Sequence, residues 1–349
     1  MTCRYPLALA CVAAVAAAVL APSPVDAVSA RSSASEGTTQ VARALSAATP
    51  PGAARFTGAD GLLYESAPPV VPGLDGQLFY GADFDVACGL SSRMRVAMDR
   101  LAKLSAIIRR SGREVVYTVG PDKSSVLTSE VDAATLPHGS CDSLGLQAQR
   151  HLLDHYPDPS YLPLRRKLER DTRQTYLVTD LHWSTVGASI FAKALATRLD
   201  PRLGREQRYQ YGTTTFVGGL NGALGINQPE TAQTATPAGR VEVRPSLTSP
   251  QVASLESFYD HRWRSRPAGL TFPGRTVVLG DSYMAFALDN VRPIFRQGRF
   301  LWVGHVDLGS VIRAIKDADT VVFEYVQVFL ASYPLSSETF LRDLRRALR

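Results

Sequence analysis

Cysteine is scarce in this chain, with four residues among 349. No set of cysteine and histidine residues has the spacing of metal ligands, so the sequence gives no indication of a zinc site. Lysine and arginine exceed aspartate and glutamate by 38 to 32, yet no basic cluster with interleaved aromatic residues is recognised, which argues against nucleic acid as a partner. The net charge of +6 is compatible with attraction to an anionic polymer or to the cell envelope.

The N-terminal apolar run is too short to span a membrane. Residues 7–21 form it, roughly fifteen residues where a bilayer span needs about twenty. Arg4 precedes the run, two prolines break it, and sites of the Ala-x-Ala type follow. This pattern predicts a secretory signal peptide over residues 1–30, with an uncleaved signal anchor as the alternative.

The chain beyond the signal segment divides into a linker and a folded domain. Residues 31–55 are rich in serine, alanine and threonine and lack aromatics, which predicts a flexible linker. Hydrophobic residues make up 45% of the chain, enough for a substantial core. We therefore expect the folded domain over residues 56–349.

Two of the cysteines, Cys88 and Cys141, lie in the predicted domain. An even pair of cysteines in an exported domain predicts a disulfide. Two buried thiols are the alternative.

Alternating helix and strand patterns predict the fold class. Residues 90–110 are amphipathic, and residues 114–119 predict the next strand. The same helix-then-strand order recurs over residues 164–178 and 311–325, which favours an α/β fold with a parallel sheet flanked by helices. Residues 204–250 have little apolar periodicity and predict a β-rich or irregular insertion. The expected buried stripe of the first helix is Met94, Val96, Leu101, Leu104 and Ile108.

A serine follows a buried-strand pattern late in the chain. The apolar stretch 276–279 runs into Gly280 and Ser282, and a helical pattern, broken at Pro293, follows over residues 284–295. Open α/β folds carry their chemistry at this carboxyl edge of the sheet. The amides that open the helix are suited to binding an oxyanion. The alternative is a serine that only caps the helix.

A second polar cluster follows residues 175–178, another short apolar stretch that predicts a strand. Asp180 and His182 come directly after it, and Ser184 caps the next predicted helix. A serine hydroxyl needs a neighbouring base, and the base needs a carboxylate that orients it. Asp180, His182 and Ser282 can supply these three groups. The alternative is a histidine that satisfies a core hydrogen bond and an aspartate that ends a strand.

These motifs resemble the SGNH-hydrolase-like domain of the alginate O-acetyltransferases of the AlgX/AlgJ type. The resemblance depends mainly on the Asp-x-His-Trp of residues 180–183, followed about a hundred residues later by the Gly-Asp-Ser-Tyr of residues 280–283. It spans about residues 56–348. Further stretches are similar to segments of that family in the same order, namely residues 58–64, 115–124 and 218–225.

The sequence departs from the family pattern at two places. Asn221 lies in a loop where the family has an acidic residue. Residues 323–328 lack the acidic-basic pair that is usual in the closing strand of the family.

The resemblance implies an exported O-acetyltransferase that acts on a cell-surface or extracellular polysaccharide. Ser282 would attack an acetyl donor, His182 would take its proton, and Asp180 would orient the imidazole. A carbohydrate acetyl esterase with water as the acceptor would use the same acyl-enzyme. A non-catalytic polysaccharide-binding envelope protein is the third alternative, and the complete trio argues against it. This chemistry needs no cofactor or metal ion.

Further residues are candidates for oxyanion or substrate binding. The backbone amide of Ser282 is one expected oxyanion donor, and the side chain of Asn221 or of a nearby tyrosine is the expected second. Trp183 is either a wall of a glycan groove or a packing residue, and Lys123 either meets an anionic sugar at the site mouth or is a solvated turn residue. The candidates are Asn221, Tyr283, Trp183, Lys123 and Tyr325.

The resemblance also implies partners and a compartment. The acceptor would be a polysaccharide, and a multi-pass membrane acyltransferase would supply the acetyl groups. The protein would act outside the cytoplasmic membrane, secreted or in the cell envelope.

Overall fold

The computed structural model describes residues 55–58, 60–238, 241–247, 254–267 and 269–349. The predicted signal peptide and all but the last residue of the predicted linker lie outside these described residues.

The described elements alternate along most of the chain, and short 3-10 turns connect several of them. The strands are β1 (Arg55–Thr57), β2 (Leu63–Glu65), β3 (Val70–Pro72), β4 (Leu78–Tyr80), β5 (Glu114–Gly120), β6 (Tyr209–Phe216), β7 (Glu230–Pro237), β8 (Val241–Arg244), β9 (Asp260–Pro267), β10 (Phe272–Gly280), β11 (Phe295–Trp302) and β12 (Thr320–Val326). The helices are α1 (Gly81–Arg110), α2 (Lys123–Val126), α3 (Ser140–His155), α4 (Arg165–Glu169), α5 (Thr185–Leu199), α6 (Pro201–Glu206), α7 (Gly219–Ala223), α8 (Leu255–Tyr259), α9 (Ser282–Val291), α10 (Leu308–Asp317) and α11 (Glu338–Ala347).

A six-stranded sheet in the order β5-β12-β10-β11-β9-β8 forms the centre of the molecule. Its first four strands are parallel, and β9 and β8 extend it in antiparallel orientation. Parallel strands are buried on both faces, so they are nearly continuous apolar runs, as in the Thr-Val-Val-Phe that opens β12. The predicted α/β class, with a mostly parallel sheet flanked by helices, is confirmed.

Alternate residues of the central strands face two separate cores. Val278 of β10 packs with residues of α5 and α9, whereas its neighbour Val277 packs with residues of α1, α10 and α11. Fully burying an aliphatic side chain of this kind contributes roughly 1.5–3 kcal/mol. The two cores fix β10 from both sides and therefore fix the position of the turn at its carboxyl end.

The first long helix differs from its prediction in its start and in one member of its buried stripe. It begins at Gly81 rather than at residue 90. Val96, expected in the stripe, is 50% exposed, while Met98 is fully buried. Val96 lies two positions after Met94, about 200° around the helix, and therefore faces away from the core.

Residues 175–178 do not form the predicted strand, and only Tyr176 makes an isolated bridge, to Trp183. Their backbone groups bind a mixture of backbone groups, from Leu78, His182 and Ser184, and side chains from other segments. The carboxylate of Glu230 accepts the N–H of Val178 at 2.7 Å, and the amine of Lys123 donates to the carbonyl of the same residue at 2.7 Å. A backbone satisfied in this way needs no strand partner.

The described part of the predicted insertion, residues 204–250, is rich in β-structure. The strands β6 and β7 form an antiparallel hairpin, with α7 in the connection between them. The strand β8 joins the central sheet through β9. The hairpin matters for the site because Glu230, the first residue of β7, holds the loop that precedes Asp180.

A disulfide joins Cys88 of α1 to Cys141 of α3, as predicted. It closes a separation of 53 residues. No helix in the described part of the chain is long and apolar enough to cross a membrane.

The prediction that the chain has no basic cluster with interleaved aromatic residues is wrong. The strand β9 carries Arg262, Arg264 and Arg266, which alternate with buried residues that include Trp263. A basic cluster with an interleaved aromatic residue is therefore present. Strict alternation of arginine with less polar residues over residues 261–266 is the sequence signal for it.

Candidate active site

Ser282 is the first residue of α9 and follows the carboxyl end of β10. Asp281 caps the helix: its side chain accepts the N–H of Tyr283 at 2.8 Å and, through its other oxygen, the N–H of Val326 at 2.8 Å. A Cβ at Gly280 would lie 2.3 Å from the Cβ of Met284, so the sharp turn requires glycine. The predicted strand, turn and helix around Ser282 are present.

Asp180 and His182 lie on a loop between α4 and α5, in direct contact with each other. The Nδ1 of His182 is 2.6 Å from Oδ1 of Asp180, and the backbone N–H of His182 donates to the same oxygen at 2.9 Å. The other carboxylate oxygen accepts the N–H of Gly219, at the start of α7, at 2.5 Å. The carboxylate is therefore held from two sides and orients the imidazole.

The electrostatics of this pair favour a carboxylate at position 180. Burial raises the pKa of Asp180, but the neighbouring His182 and the N–H groups of His182 and Gly219 outweigh it and lower the pKa below its usual value. An ionised Asp180 accepts from Nδ1–H and leaves Nε2 of His182 as the acceptor. That Nε2 is buried and has no hydrogen-bond partner among the described residues.

Two hydrogen bonds join the loop of His182 to the helix of Ser282. The indole N–H of Trp183 donates to the carbonyl of Tyr283 at 2.9 Å, and the hydroxyl of Tyr283 donates to the carbonyl of Leu181 at 2.6 Å. Each of these residues is adjacent in sequence to His182 or Ser282. The structure therefore brings the two predicted polar clusters together.

An aromatic stack places the imidazole over the face of α9 that carries Ser282. The ring of Phe286 lies parallel to that of His182, with centroids 4.4 Å apart and planes 10° apart. Phe286 is four residues after Ser282, and residues at this spacing share a helix face. The imidazole of His182, the carboxylate of Asp180 and Ser282 thus share one end of the sheet.

Trp183 is a packing residue. Its side chain is fully buried, and its ring stacks on Phe191 of α5 with centroids 5.5 Å apart. A buried indole has no free face for a sugar, so Trp183 is not the wall of a glycan groove. The position of Trp183 agrees with the alternative that it is a packing residue.

Lys123 lies beneath the Asp180 loop rather than at a solvated site mouth. Its amine donates to the carbonyls of Leu78, Leu177, Val178 and Asp180 at 2.7–3.3 Å. Burial lowers the pKa of Lys123 to about 7, against the opposing effect of neighbouring carboxylates. The side chain ties three segments together, and it does not point toward a substrate.

The remaining candidates have other partners. Asn221, buried in α7, donates to the carbonyl of Gln228 at 2.9 Å. The Tyr283 hydroxyl is bound to Leu181 as described above. Tyr325, partly buried at the end of β12, packs its ring on Tyr333 with centroids 4.0 Å apart.

Glu324 is a buried acid near the serine that was not singled out from the sequence. It is fully buried in β12, and both of its carboxyl oxygens have no geometric hydrogen-bond partner among the described residues. A Cβ on Gly280 would lie 3.2 Å from one of them. Burial and the nearby Asp281 raise the pKa of Glu324 well above its usual value. The sequence signal that could have identified Glu324 is a single acidic residue inside an apolar strand pattern.

One grouping of possible metal ligands occurs among the described residues, remote in sequence from the trio. It consists of Cys88, His138 and Asp142. The thiol of Cys88 is already bonded to Cys141, and Nδ1 of His138 is 2.7 Å from the carboxylate of Asp142. The Cys88 sulfur and the His138–Asp142 pair are therefore already bonded to groups of the protein itself.

The chain matches known proteins in sequence. The sequence profile of the family described as SGNH hydrolase-like domain, acetyltransferase AlgX, matches residues 70–261, a range that includes Asp180 and His182 and ends before Ser282. The chain is 28% identical over 137 residues to the probable alginate O-acetylase AlgJ of Pseudomonas putida. The match covers 39% of this chain and 35% of that relative, so it spans about a third of the relative's length.

The fold matches solved structures. PatB1 of Bacillus cereus superimposes with a TM-score of 0.52 at 15% identity, over 74% of this chain and 96% of that one. AlgX of Pseudomonas aeruginosa superimposes with a TM-score of 0.51 at 15% identity, over 80% of this chain and 66% of that one. At this level of identity the similarity concerns the fold.

Proposed function

This chain belongs to the family of SGNH hydrolase-like domains of the AlgX acetyltransferase type, and from this premise we propose that it transfers acetyl groups to hydroxyls of a polysaccharide through Ser282, His182 and Asp180. One observation carries the proposal. The Nε2 of His182 is buried and has no hydrogen-bond partner in the part of the chain that the structure describes, and its ring is stacked over the helix face of Ser282. A nucleophile, a base and an orienting carboxylate are the groups that acyl transfer requires.

The first step forms an acetyl-enzyme. The Oγ of Ser282 attacks the carbonyl carbon of an acetyl donor while Nε2 of His182 takes the hydroxyl proton. The imidazolium returns that proton to the leaving group as the bond from the acetyl carbon to the donor breaks. Asp180 stabilises the imidazolium through Nδ1–H.

The second step transfers the acetyl group. A sugar hydroxyl attacks the acetyl carbon and gives its proton to Nε2 of His182. The bond to Oγ of Ser282 breaks, and the serine takes the proton back. The sugar ester leaves and the enzyme is restored.

The oxyanion of each tetrahedral intermediate needs hydrogen-bond donors. The N–H of Ser282 is in the first turn of α9, where amides have no intrahelical partner and the helix dipole favours negative charge. We assign it as one donor. The hydrogen bonds of Asn221 and Tyr283 make their side chains weaker candidates for the second.

The relatives and the sequence support the proposed acceptor and compartment. The curated relative is named as a probable alginate O-acetylase, and we propose a polysaccharide acceptor for this chain. With the predicted signal peptide, we place the reaction outside the cytoplasmic membrane. A multi-pass membrane acyltransferase is the proposed source of acetyl groups.

The test compares wild type with Ser282→Ala and His182→Ala on a chromogenic acetyl ester, with and without glycans. Loss of a triad member can lower turnover by on the order of a millionfold. Ser143→Ala, at an exposed serine of α3, is the matched control and should keep full activity. Mass spectrometry should find an acetyl group on the Ser282 peptide and on the glycan.

Two outcomes would change the proposal. Full activity in a folded Ser282→Ala protein, checked by circular dichroism, would rule out this chemistry. Release of acetate from acetylated glycans, with no acetyl transfer to any tested glycan, would identify an acetyl esterase that uses the same three residues.

A further inference from the structure

We propose that an arginine-rich groove on the central sheet, separate from the serine site, binds an anionic polysaccharide that carries carboxylate groups. The groove has a volume of about 1400 Å³ and lies between β8, β9, β10 and β11 on one side and α10 on the other. We call it the arginine groove. Its cationic side chains are Arg244, Arg262, Arg264, Arg266, Arg275 and Arg299.

Strand register places these arginines on one face of the sheet. Arg262 pairs with Arg299 of β11, and Arg264 pairs with both Arg244 of β8 and Gln297. Gln297 in turn pairs with Arg275 of β10. Residues that pair across strands point to the same face, so a continuous basic surface crosses four strands.

None of the residues that the structure describes covers this part of the sheet. The helix α10 packs against the core through Val311 and Ile315 and lines the groove with Ala314 and Asp317. The outer strands β9 and β8 bury their other face, where Trp263 is only 2% exposed. The arginines on the open face are therefore free of any role in the core.

The charges of the groove are only partly neutralised. Arg299 forms two hydrogen bonds with Asp260 at 2.6–2.7 Å, Arg275 pairs with Asp319 at 3.3 Å, and Arg244 pairs with Glu242. The side chains of the three exposed arginines of β9 form no hydrogen bond or ion pair with any described residue. The acidic lining residues are Glu242 and Asp317.

The three unpaired arginines are spaced for a chain of charges. They are Arg262, Arg264 and Arg266, and alternate residues of a strand lie roughly 6.7 Å apart. Guanidinium groups bind carboxylates through two parallel hydrogen bonds, so such a row matches a polymer with a carboxylate on successive units. The proposal therefore commits to a uronate-type glycan.

A nucleic acid fits the groove less well. Sequence-independent binding of single strands combines a basic groove with aromatic faces on which bases stack. Trp263 is the one aromatic residue along the groove among the described residues, and its side chain lies on the opposite, buried face of the sheet with its indole N–H bound to the carbonyl of Arg292. The groove thus offers charge without a stacking platform.

The groove is remote from the serine. Arg275 lies five residues before Gly280 on β10, which corresponds to roughly 16 Å along the strand. A glycan bound there is tethered beside the serine, which raises its effective concentration at the site. Binding of the glycan to the arginine groove does not depend on acetyl transfer. The role of the tethered glycan as the acceptor rests on the proposed function.

The test measures binding of polygalacturonate to wild type and to the triple variant Arg262→Thr/Arg264→Thr/Arg266→Thr. We expect the variant to bind at least about tenfold more weakly, since each solvated ion pair contributes modestly and three are lost. The methyl-esterified polymer should not bind, and added salt should weaken the wild-type complex. Turnover of a small acetyl ester should stay unchanged in the variant, which also reports that it has folded.

A matched control removes the same charge elsewhere. Arg342→Ala/Arg345→Ala/Arg346→Ala, at exposed positions of α11, should change the affinity by less than about twofold. An equal loss in both triple variants, or no binding of polygalacturonate by wild type, would overturn the proposal. Equally tight binding of duplex DNA through the same arginines would replace it with a nucleic-acid surface. If the triple variant is unfolded, the single variant Arg264→Thr takes its place with a smaller expected loss.

Discussion

The indole N–H of Trp183 donates a 2.9 Å hydrogen bond to the backbone carbonyl of Tyr283, and the hydroxyl of Tyr283 donates a 2.6 Å hydrogen bond to the carbonyl of Leu181. Trp183 and Leu181 flank His182, and Tyr283 follows Ser282. The two side chains therefore hold the loop of His182 and the helix of Ser282, the base and the nucleophile of the proposed mechanism, against each other. Catalysis depends on such positioning, because a small displacement of a base from its nucleophile costs much of the rate.

Trp183→Phe should loosen this connection. The substitution leaves the buried carbonyl of Tyr283 without its donor, and we expect a loss of about 1–3 kcal/mol in the free energy of unfolding. Ester hydrolysis and glycan acetylation should fall together, because both need His182 beside Ser282. Urea denaturation and the two activity assays measure these effects.

Trp302→Phe is the control for that variant, since Trp302 packs in the same core and makes none of the hydrogen bonds between the two segments. It should lower stability through lost packing while both activities of the folded protein stay close to those of wild type. Selective loss of glycan transfer in Trp183→Phe would show instead that the indole contacts the acceptor.

Lys123→Met should destabilise the protein strongly. Methionine has a similar length, but it leaves the carbonyls of Leu78, Leu177 and Val178 without their shared donor in the protein interior. We expect a cost of about 2–5 kcal/mol by chemical denaturation. Lys103→Met, at an exposed position of α1, should change stability by less than about 0.5 kcal/mol. Equal stability of the two variants would contradict the role of Lys123.

Patterns within short segments of the sequence predicted those parts of the candidate site whose residues are close together in sequence. The strand, the glycine turn and the helix around Ser282 are adjacent in sequence, so their pattern was sufficient, whereas the capping residue is Asp281 and not the serine. The pairing of Asp180 with His182 is also local. Those short-range features, with the alternation of helices and strands, predicted the fold class.

The features that the sequence did not predict depend on contacts between side chains that are distant in sequence. The stretch 175–178 has the composition of a strand, but Lys123 and Glu230 bind its backbone instead. The burial of Trp183 depends on Phe191 and Tyr283, which lie on different helices. No pattern within a single segment reports such partners.

Removal of the disulfide should lower stability by an amount set mainly by the size of the closed loop. The Cys88–Cys141 bond spans 53 residues, for which the chain-entropy model gives about 4 kcal/mol. We expect the Cys88→Ala/Cys141→Ala variant to lose about that much in urea denaturation. Dithiothreitol should destabilise wild type and leave the variant unchanged. Equal sensitivity of both proteins would show that the bond does not contribute.

Glu324→Gln should change how stability depends on pH. Burial and the nearby Asp281 raise the pKa of Glu324 well above its ordinary value of 4.5, so the folded protein keeps this proton at a pH where the unfolded chain releases it. The free energy of unfolding must therefore fall as the pH rises from about 4.5 through the folded pKa, by at most about 1.4 kcal/mol per pH unit for one proton. Glutamine is neutral at every pH and has nearly the same shape as glutamate, so the variant should gain stability relative to wild type as the pH rises from 5 to 8. Urea midpoints at four pH values measure this gap, and Glu338→Gln, at an exposed position of α11, should show none. A gap that stays constant or narrows with rising pH would mean that Glu324 is ionised in the folded protein.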